Sequence, residues 1–254
     1  MAVGGVALGL DVGGSSIKHA LVDVANGRLH AALASMPTPR PALPARLVDA
    51  LATLAEGAPA GAPVGIALPS VIQLGVIHTA ANLDPALIGF DAGAALRTRL
   101  GRVVTLLNDG DAAGLAEAHY GAARGVSGTV IMLTFGTGIG SALLVDGRLW
   151  PNSELGHLEM DGAEGESRAA ARNRTDESLS WPQWAGRVNR YLREINRLFW
   201  PELIVIGGGV SEQYAEFGPL LQSRAALAPA RLGAAAGVVG AAMAVAAATA
   251  GRGA

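Results

Sequence analysis

The sequence predicts a two-lobed α/β protein with an internal duplication and a cleft between the lobes. Three observations carry this. Near the start, VALGLDV, GGSS and IKHALVDV read as strand, Gly-rich turn and strand, followed by the turn NGR, which favours a hairpin. Residues 131–149 repeat that design as IMLTF, GTGIG, SALLV, DGR and LW, roughly 120 residues later. The runs between and after the two hairpins alternate between strand-like and helix-like, as layered α/β units require.

The elements follow in order. PTPRPALPARLVDALATLAEG holds a Pro-rich linker and an amphipathic helix, VGIALPSVI a strand, and GFDAGAALRTRLG a second helix. Residues 103–107 form an apolar strand that ends in Asn108-Asp109-Gly110-Asp111, with a helix expected over 111–121. After the second hairpin come the polar loop PNSELGHLEMDG, a helix from about 180 to 198, and ELIVIGGGVSE, a buried strand running into three glycines. The stretch 234–251 is dominated by Ala and Gly, which insert poorly into lipid, so it reads as a buried C-terminal helix.

Composition narrows the function classes. A chain of 254 residues that is half apolar is expected to be globular and enzyme-sized. The net charge of −2 offers no global attraction for nucleic acid or an anionic membrane, so a polyanion needs a local basic site. With no cysteine there is no disulfide, thiolate nucleophile or Cys-ligated zinc. The N-terminus passes directly into a strand pattern without a secretory signal, so a cytoplasmic location is expected. Of the 19 basic residues one is Lys, and that residue, Lys18, falls in the Gly-rich stretch LDVGGSSIK.

Gly turns let backbone N–H groups approach phosphate oxygens without Cβ obstruction. Gly13, Gly14 and Ser15 on the first turn, Gly136, Thr137 and Gly138 on the second, and Gly207, Gly208 and Gly209 after the last strand are therefore candidates for a phosphate ligand. A single such turn is an ordinary hairpin; three are harder to dismiss. The spacing in FGTGIG, followed by a strand, does not fit a dinucleotide fold, which needs a helix there, and no P-loop pattern is present. Asp11, beside the first turn, suits hydrated Mg²⁺ or a turn-stabilising contact, and its repeat partner is Thr134. Glu154, His157 and Glu159 crowd ELGHLE without zinc-ligand spacing. Together with Asn82 and Asn108 they could hydrogen-bond a polyhydroxylated ligand, or be solvated loop residues. At the exit of strand 103–107, carboxylates fit either capping or catalysis, and Asp111, two residues beyond Asp109, better fits capping the helix.

LGLDVGGSSIK, TAANLDPALIG, LLNDGDAAGLAEAHYGA, LTFGTGIGSALL, PNSELGHLEMDG and IVIGGGVS together resemble the ROK family of sugar kinases and regulators, over about residues 6–245. The segments TFGTGIGSA, ELGHLE and SWPQWA are similar to its polyphosphate-using members. The resemblance implies an actin/hexokinase-type, ribonuclease H-like duplicated fold. Its first lobe would span 1–105 with a helix at about 237–254 packing back on it, and the larger second lobe 106–236. It implies transfer of a phosphoryl group to the 6-hydroxyl of glucose from inorganic polyphosphate, and in many members from ATP, with Mg²⁺, in a homodimer. By position Asp109 would be the general base. Asn82, Asn108, Glu154, His157 and Glu159 would hold the sugar. Asp11, Gly13, Gly14, Ser15, Lys18 and Thr134 would hold the phosphoryl donor, with Gly136, Thr137 and Gly138 facing them and Gly207, Gly208 and Gly209 lining the far end of the channel.

Three departures stand out: the cysteine-rich zinc motif of many members is absent, Ser70 stands in the sugar-side loop where Gly is usual, and Gly110 stands where Ala is commoner. For polyphosphate, Arg187, Arg190, Arg193 and Arg197 lie near one helical face after Arg168, Arg172 and Arg174, as a basic track or an ordinary solvated face. The alternatives are an ATP-only hexokinase for glucose, mannose or an N-acetyl sugar, and a sugar-sensing regulator. The latter needs a DNA-binding helix-turn-helix, for which this chain, beginning in the first strand, leaves no room.

Overall fold

The structure is a computed structural model that describes residues 5–250. In chain order the strands and helices are β1 Val6–Val12, β2 Ser16–Asp23, β3 Arg28–Leu29, β4 Ala34–Pro37, α1 Pro44–Glu56, β5 Val64–Leu68, β6 Ile72–Gln73, β7 Val76–Ile77, α2 Ala92–Leu100, β8 Val104–Asn108 and α3 Asp109–Tyr120. They continue with β9 Thr129–Phe135, β10 Ile139–Val145, β11 Arg148–Trp150, β12 Glu159–Met160, β13 Ala163–Glu164, α4 Glu166–Ala169, α5 Ala171–Asp176, α6 Trp181–Phe199, β14 Leu203–Gly207, α7 Tyr214–Phe217, β15 Ala226–Pro229 and α8 Ala236–Ala250. They form two compact units, one running to Ala116 and resuming at Ala235, the other Glu117–Ala234.

The duplication read from the sequence is present in the strand order. The first sheet runs β3-β2-β1-β5-β8 and the second β11-β10-β9-β14-β15. In each, a Gly-turn hairpin and its short third strand are antiparallel, and the next two strands join parallel. The unit boundary falls inside α3, later than the division at 105/106, because β8 pairs along its length with β5 and stays with the first sheet. Residues 34–37, adjoining the expected Pro-rich linker, form β4 at the edge of β2.

The first unit packs Leu8, Leu10, Ile17, Leu47, Leu51, Ile66 and Leu68 into one core. The other face of its sheet receives α8, whose Val238, Val239, Ala241 and Val245 are buried. Small residues set how close that helix comes: a Cβ on Gly65 would overlap the carbonyl oxygen of Ala241, and one on Gly9 that of Val238. The Ala/Gly-rich stretch is thus a helix that fits because both surfaces lack side chains. Among the described residues no helix is long and apolar enough to cross a membrane, and residues 251–254 of the expected terminal helix lie outside them.

In the second unit α6 begins at a capping box made by Ser180 and Gln183. It buries Trp184, Val188, Tyr191, Leu192 and Ile195, at helical spacing, against Phe135, Ile204, Ile206 and Phe217. Glu117, near the end of α3, is buried, and its carboxylate accepts from Arg231 N and Leu232 N, both at 2.8 Å, and from Ala122 N at 2.6 Å.

The β6–β7 hairpin turns through Leu74 and Gly75, at φ of 53° and 91°, so both turn residues are left-handed. Asn-Gly is the usual pair for such a turn, because a bulky side chain at positive φ costs about 1–2 kcal/mol. Leu74 is 99 % exposed and has no packing to lose. Leu74→Asn is therefore expected to stabilise the protein by about 0.5–1 kcal/mol, read as a higher melting temperature; a lower one would show that the leucine side chain contributes contacts.

Candidate active site

In the first unit, the first Gly turn is held by Gly13 N donating to Ser16 O (2.9 Å), Thr38 Oγ1 to Gly13 O (2.6 Å) and Thr38 N to Ser15 O (3.0 Å). Arg40 Nη2 adds contacts of 3.3 Å to Gly14 O and Ser15 Oγ. The register places Lys18 opposite Asp11, with Nζ 3.9 Å from Oδ2. Burial raises the proton affinity of Asp11, and Lys18 offsets this only in part. A Cβ on Gly237 would lie 2.7 Å from the Asp11 carboxyl carbon, so the first turn of α8 abuts this carboxylate. Gly14 faces the backbone of Asn82, whose carbonyl oxygen would lie 3.0 Å from an added Cβ. The turn, Asp11, Lys18 and the Asn82 loop are thus neighbours.

Strand β8 brings Asn108 and Asp109 to its carboxyl end, where α3 starts. Asn108 is buried; its Nδ2 donates to Ser70 O (3.3 Å) and its Oδ1 accepts from Asp111 N (3.1 Å). The capping role expected of Asp111 therefore belongs to Asn108, which sits one residue before the helix, while Asp111 lies buried in its first turn. Asp109 is half-buried, and its Oδ1 accepts from Gly110 N at 2.8 Å. The Ser70 side chain is buried, and Oγ has no hydrogen-bond partner.

In the second unit, Gly136 N donates to Gly138 O (2.9 Å) and Gly136 O accepts from Arg172 N (3.1 Å). Gly207 pairs with Thr134, and a side chain on Gly208 would overlap the backbone of Phe135. Thr134, the second Gly turn and the third glycine run therefore meet at one end of the sheet. The ELGHLE segment is fastened beside them by Ser141 Oγ, which accepts from Leu155 N (3.0 Å), and by Tyr191 Oη, which donates to Leu155 O (3.0 Å).

There His157 lies between two carboxylates, Nδ1 3.2 Å from Glu164 Oε1 and Nε2 3.8 Å from Glu154 Oε2. Partial burial pulls its pKa down, but the hydrogen bond to Glu164 and the charges of Glu166, Glu164 and Glu154 outweigh that and raise it. Glu154 is raised by burial, against His157 and with Glu166. Glu159, opposite Glu164 in the β12–β13 hairpin, is exposed.

Two acidic residues of this group went unread in the sequence. Glu164 reaches His157 because Asp161-Gly162 closes a tight hairpin, and that dipeptide was the available signal. Glu166 Oε2 accepts from Ile139 N (3.0 Å) and packs on Gly138 and Gly156. Ligand atoms of His157, Glu164 and Glu166 lie within 4.8 Å of one another, near enough to share a cation. The His157–Glu164 contact accounts for the approach of that pair, and Glu166 is held beside them by Ile139 N.

The basic stripe on α6 is largely compensated. Arg187 makes a two-pronged pair with Glu177, Arg190 pairs with Asp161 and Arg197 with Glu194, while Arg174 stacks over Trp181.

This fold and these turns define a class of protein. Residues 7–176 match the sequence model of the ROK family. The chain is 45 % identical over 237 residues to a polyphosphate glucokinase of Mycobacterium tuberculosis (strain CDC 1551 / Oshkosh), covering 93 % of this chain and 89 % of that one. The crystal structure of inorganic polyphosphate/ATP-glucomannokinase from Arthrobacter sp. strain KM is 46 % identical and matches with a TM-score of 0.90, over 95 % of this chain and 98 % of that one. The ROK hexokinase from Thermus thermophilus, 29 % identical, matches at 0.75 over 98 % of this chain and all of that one. The chain belongs to the ROK family, and its two units form the two-domain, actin/hexokinase-like fold of these sugar kinases.

Proposed function

We propose that this protein is a sugar kinase that transfers the terminal phosphoryl group of inorganic polyphosphate to the 6-hydroxyl of glucose. The observation that carries this is 45 % identity, over about nine-tenths of both chains, to polyphosphate glucokinases of Mycobacterium tuberculosis. Phosphoryl transfer asks chiefly for alignment and charge neutralisation, and the residues present fit both. Asp109 is the general base, held at the end of β8 by the Asn108–Ser70 contact. Asn82, Asn108, Ser70, Glu154, His157 and Glu159, joined by Glu166, bind the sugar, since carboxylates and imidazole match hydroxyl groups as acceptors and donors. Asp11, Lys18, Thr134 and the glycines 13, 14, 136, 138 and 207–209, with Ser15 and Thr137, receive the donor.

Oxygen donors at Asp11 and the adjoining turn suit a hard divalent cation, and Mg²⁺ bound there with the donor would offset charge on the transferring phosphoryl oxygens. Lys18 neutralises the same oxygens. Lys18→Ala is expected to raise the donor KM and lower kcat while the glucose KM stays within about twofold; unchanged donor kinetics would return Lys18 to a strand-pairing role. The protein works as a homodimer in the cytoplasm.

The Arthrobacter relative, by its name, uses ATP as well as polyphosphate and acts on a second hexose, which favours ATP as an alternative donor and mannose as an alternative acceptor here. Purified protein offered glucose, mannose or N-acetylglucosamine with polyphosphate or ATP, with sugar 6-phosphate measured, tests the reading. Product from glucose and polyphosphate is expected. Product from ATP alone would make it an ATP hexokinase, and no product from any pair would leave a sugar-binding regulator.

A further inference from the structure

We propose that Arg40 is a specificity-determining contact for the donor, binding phosphate groups of a linear polyphosphate that lie farther along the chain than the three ATP carries. The inference rests on the assignment of the first Gly turn to the donor. Strand β4 pairs antiparallel with β2, Pro37 opposite Ser16, and this carries Thr38 and Arg40 onto the turn. Thr38 is buried and ties the turn together from below. Arg40 is exposed, and its Nη2 lies 3.3 Å from both Gly14 O and Ser15 Oγ.

Both acceptors are neutral, both contacts are long, and among the described residues Arg40 has no ion pair with a carboxylate. The guanidinium is therefore placed without being charge-compensated, and most of its donor fork stays unspent. That separates it from Arg187, Arg190 and Arg197 on α6, each of which would have to release Glu177, Asp161 or Glu194 before meeting an anion. An arginine fork matches two phosphate oxygens at once, and Lys18, on β2 two residues after that strand leaves the turn, supplies a second cation beside it. A polyphosphate chain keeps presenting anionic oxygens beyond the transferred group, whereas ATP ends in a nucleoside after three phosphates. Arg40 accordingly favours the polymer.

The test compares Arg40→Gln, Arg40→Ala and Arg40→Lys with the unaltered protein. For the first two, kcat/KM with polyphosphate is expected to fall about tenfold, with ATP by less than about threefold, and the glucose KM to hold. The slope of log kcat/KM for polyphosphate against log salt is expected to become shallower by roughly one, and Arg40→Lys to restore most of that slope. Equilibrium binding of polyphosphate without sugar gives a reading independent of turnover and should weaken in parallel. Unchanged polyphosphate binding and salt slope, or equal losses with polyphosphate and ATP, would overturn the proposal. Unaltered protein that binds polyphosphate yet fails to phosphorylate glucose would overturn the kinase reading alone, with binding to Arg40→Gln still deciding the role of Arg40.

Discussion

Replacing Asp109 with Asn is expected to lower kcat by about 10²- to 10⁴-fold, the usual share of general acid–base catalysis, while leaving the fold intact. The local geometry separates the two effects. Asp109 Oδ1 accepts the Gly110 N–H at 2.8 Å, and the carbonyl oxygen of an asparagine serves that bond equally well. Asn108, which caps α3 and reaches Ser70 O, is untouched. What the amide loses is the ability to take the proton of the attacking hydroxyl as the new P–O bond forms. Formation of glucose 6-phosphate, measured beside thermal unfolding, checks both halves. Near-normal turnover would remove Asp109 from the role of base, and a collapsed melting transition would show that its charge is structural.

Glu117→Ala is expected to produce the largest loss of stability, about 3 kcal/mol or more, since hydrogen bonds to a charged group contribute about 1.5–3 kcal/mol each and three are lost together. The carboxylate is buried and accepts from Ala122, Arg231 and Leu232. It joins the end of α3 to the chain just before α8, segments more than a hundred positions apart in sequence. Alanine leaves three N–H groups without their acceptor and opens a space beside Gly121, which packs on this side chain. Glu117→Gln keeps one acceptor oxygen and should lose less. Chemical denaturation of the three proteins gives the ranking, and an Ala variant as stable as the parent would show that water replaces the carboxylate without cost.

Legibility varied with the range of the interaction. The Gly-turn hairpins and their repetition were visible because a strand, a turn and its partner strand are consecutive, and register follows from the turn. The strand ending at Asn108 was visible because an apolar run stops at two carboxylates. Within that same stretch the sequence points to Asp111 as the cap although Asn108 fills it, since both are good capping residues and only the helix start, at Asp109, decides between them. Glu164 and Glu166 were hidden just past the polar loop, in a stretch with no expected element, although Asp161-Gly162 announced a hairpin. Arg40 was hidden by two prolines, which read as a linker until β4 paired with β2.

What depends on neighbouring residues and composition could be read along the chain: the duplicated α/β plan, the lack of cysteine, the glycine turns suited to phosphate and the carboxylates at the exit of β8. Tertiary structure decided which charges remain available. On α6 the arginines alternate as a basic face, yet Glu177 and Asp161 come from outside that helix to neutralise Arg187 and Arg190. At the first turn Arg40 arrives from a strand edge and meets only neutral oxygens. Charge at a position can be read from one residue, but compensation is a property of pairs, and the partners meet only after the chain has folded.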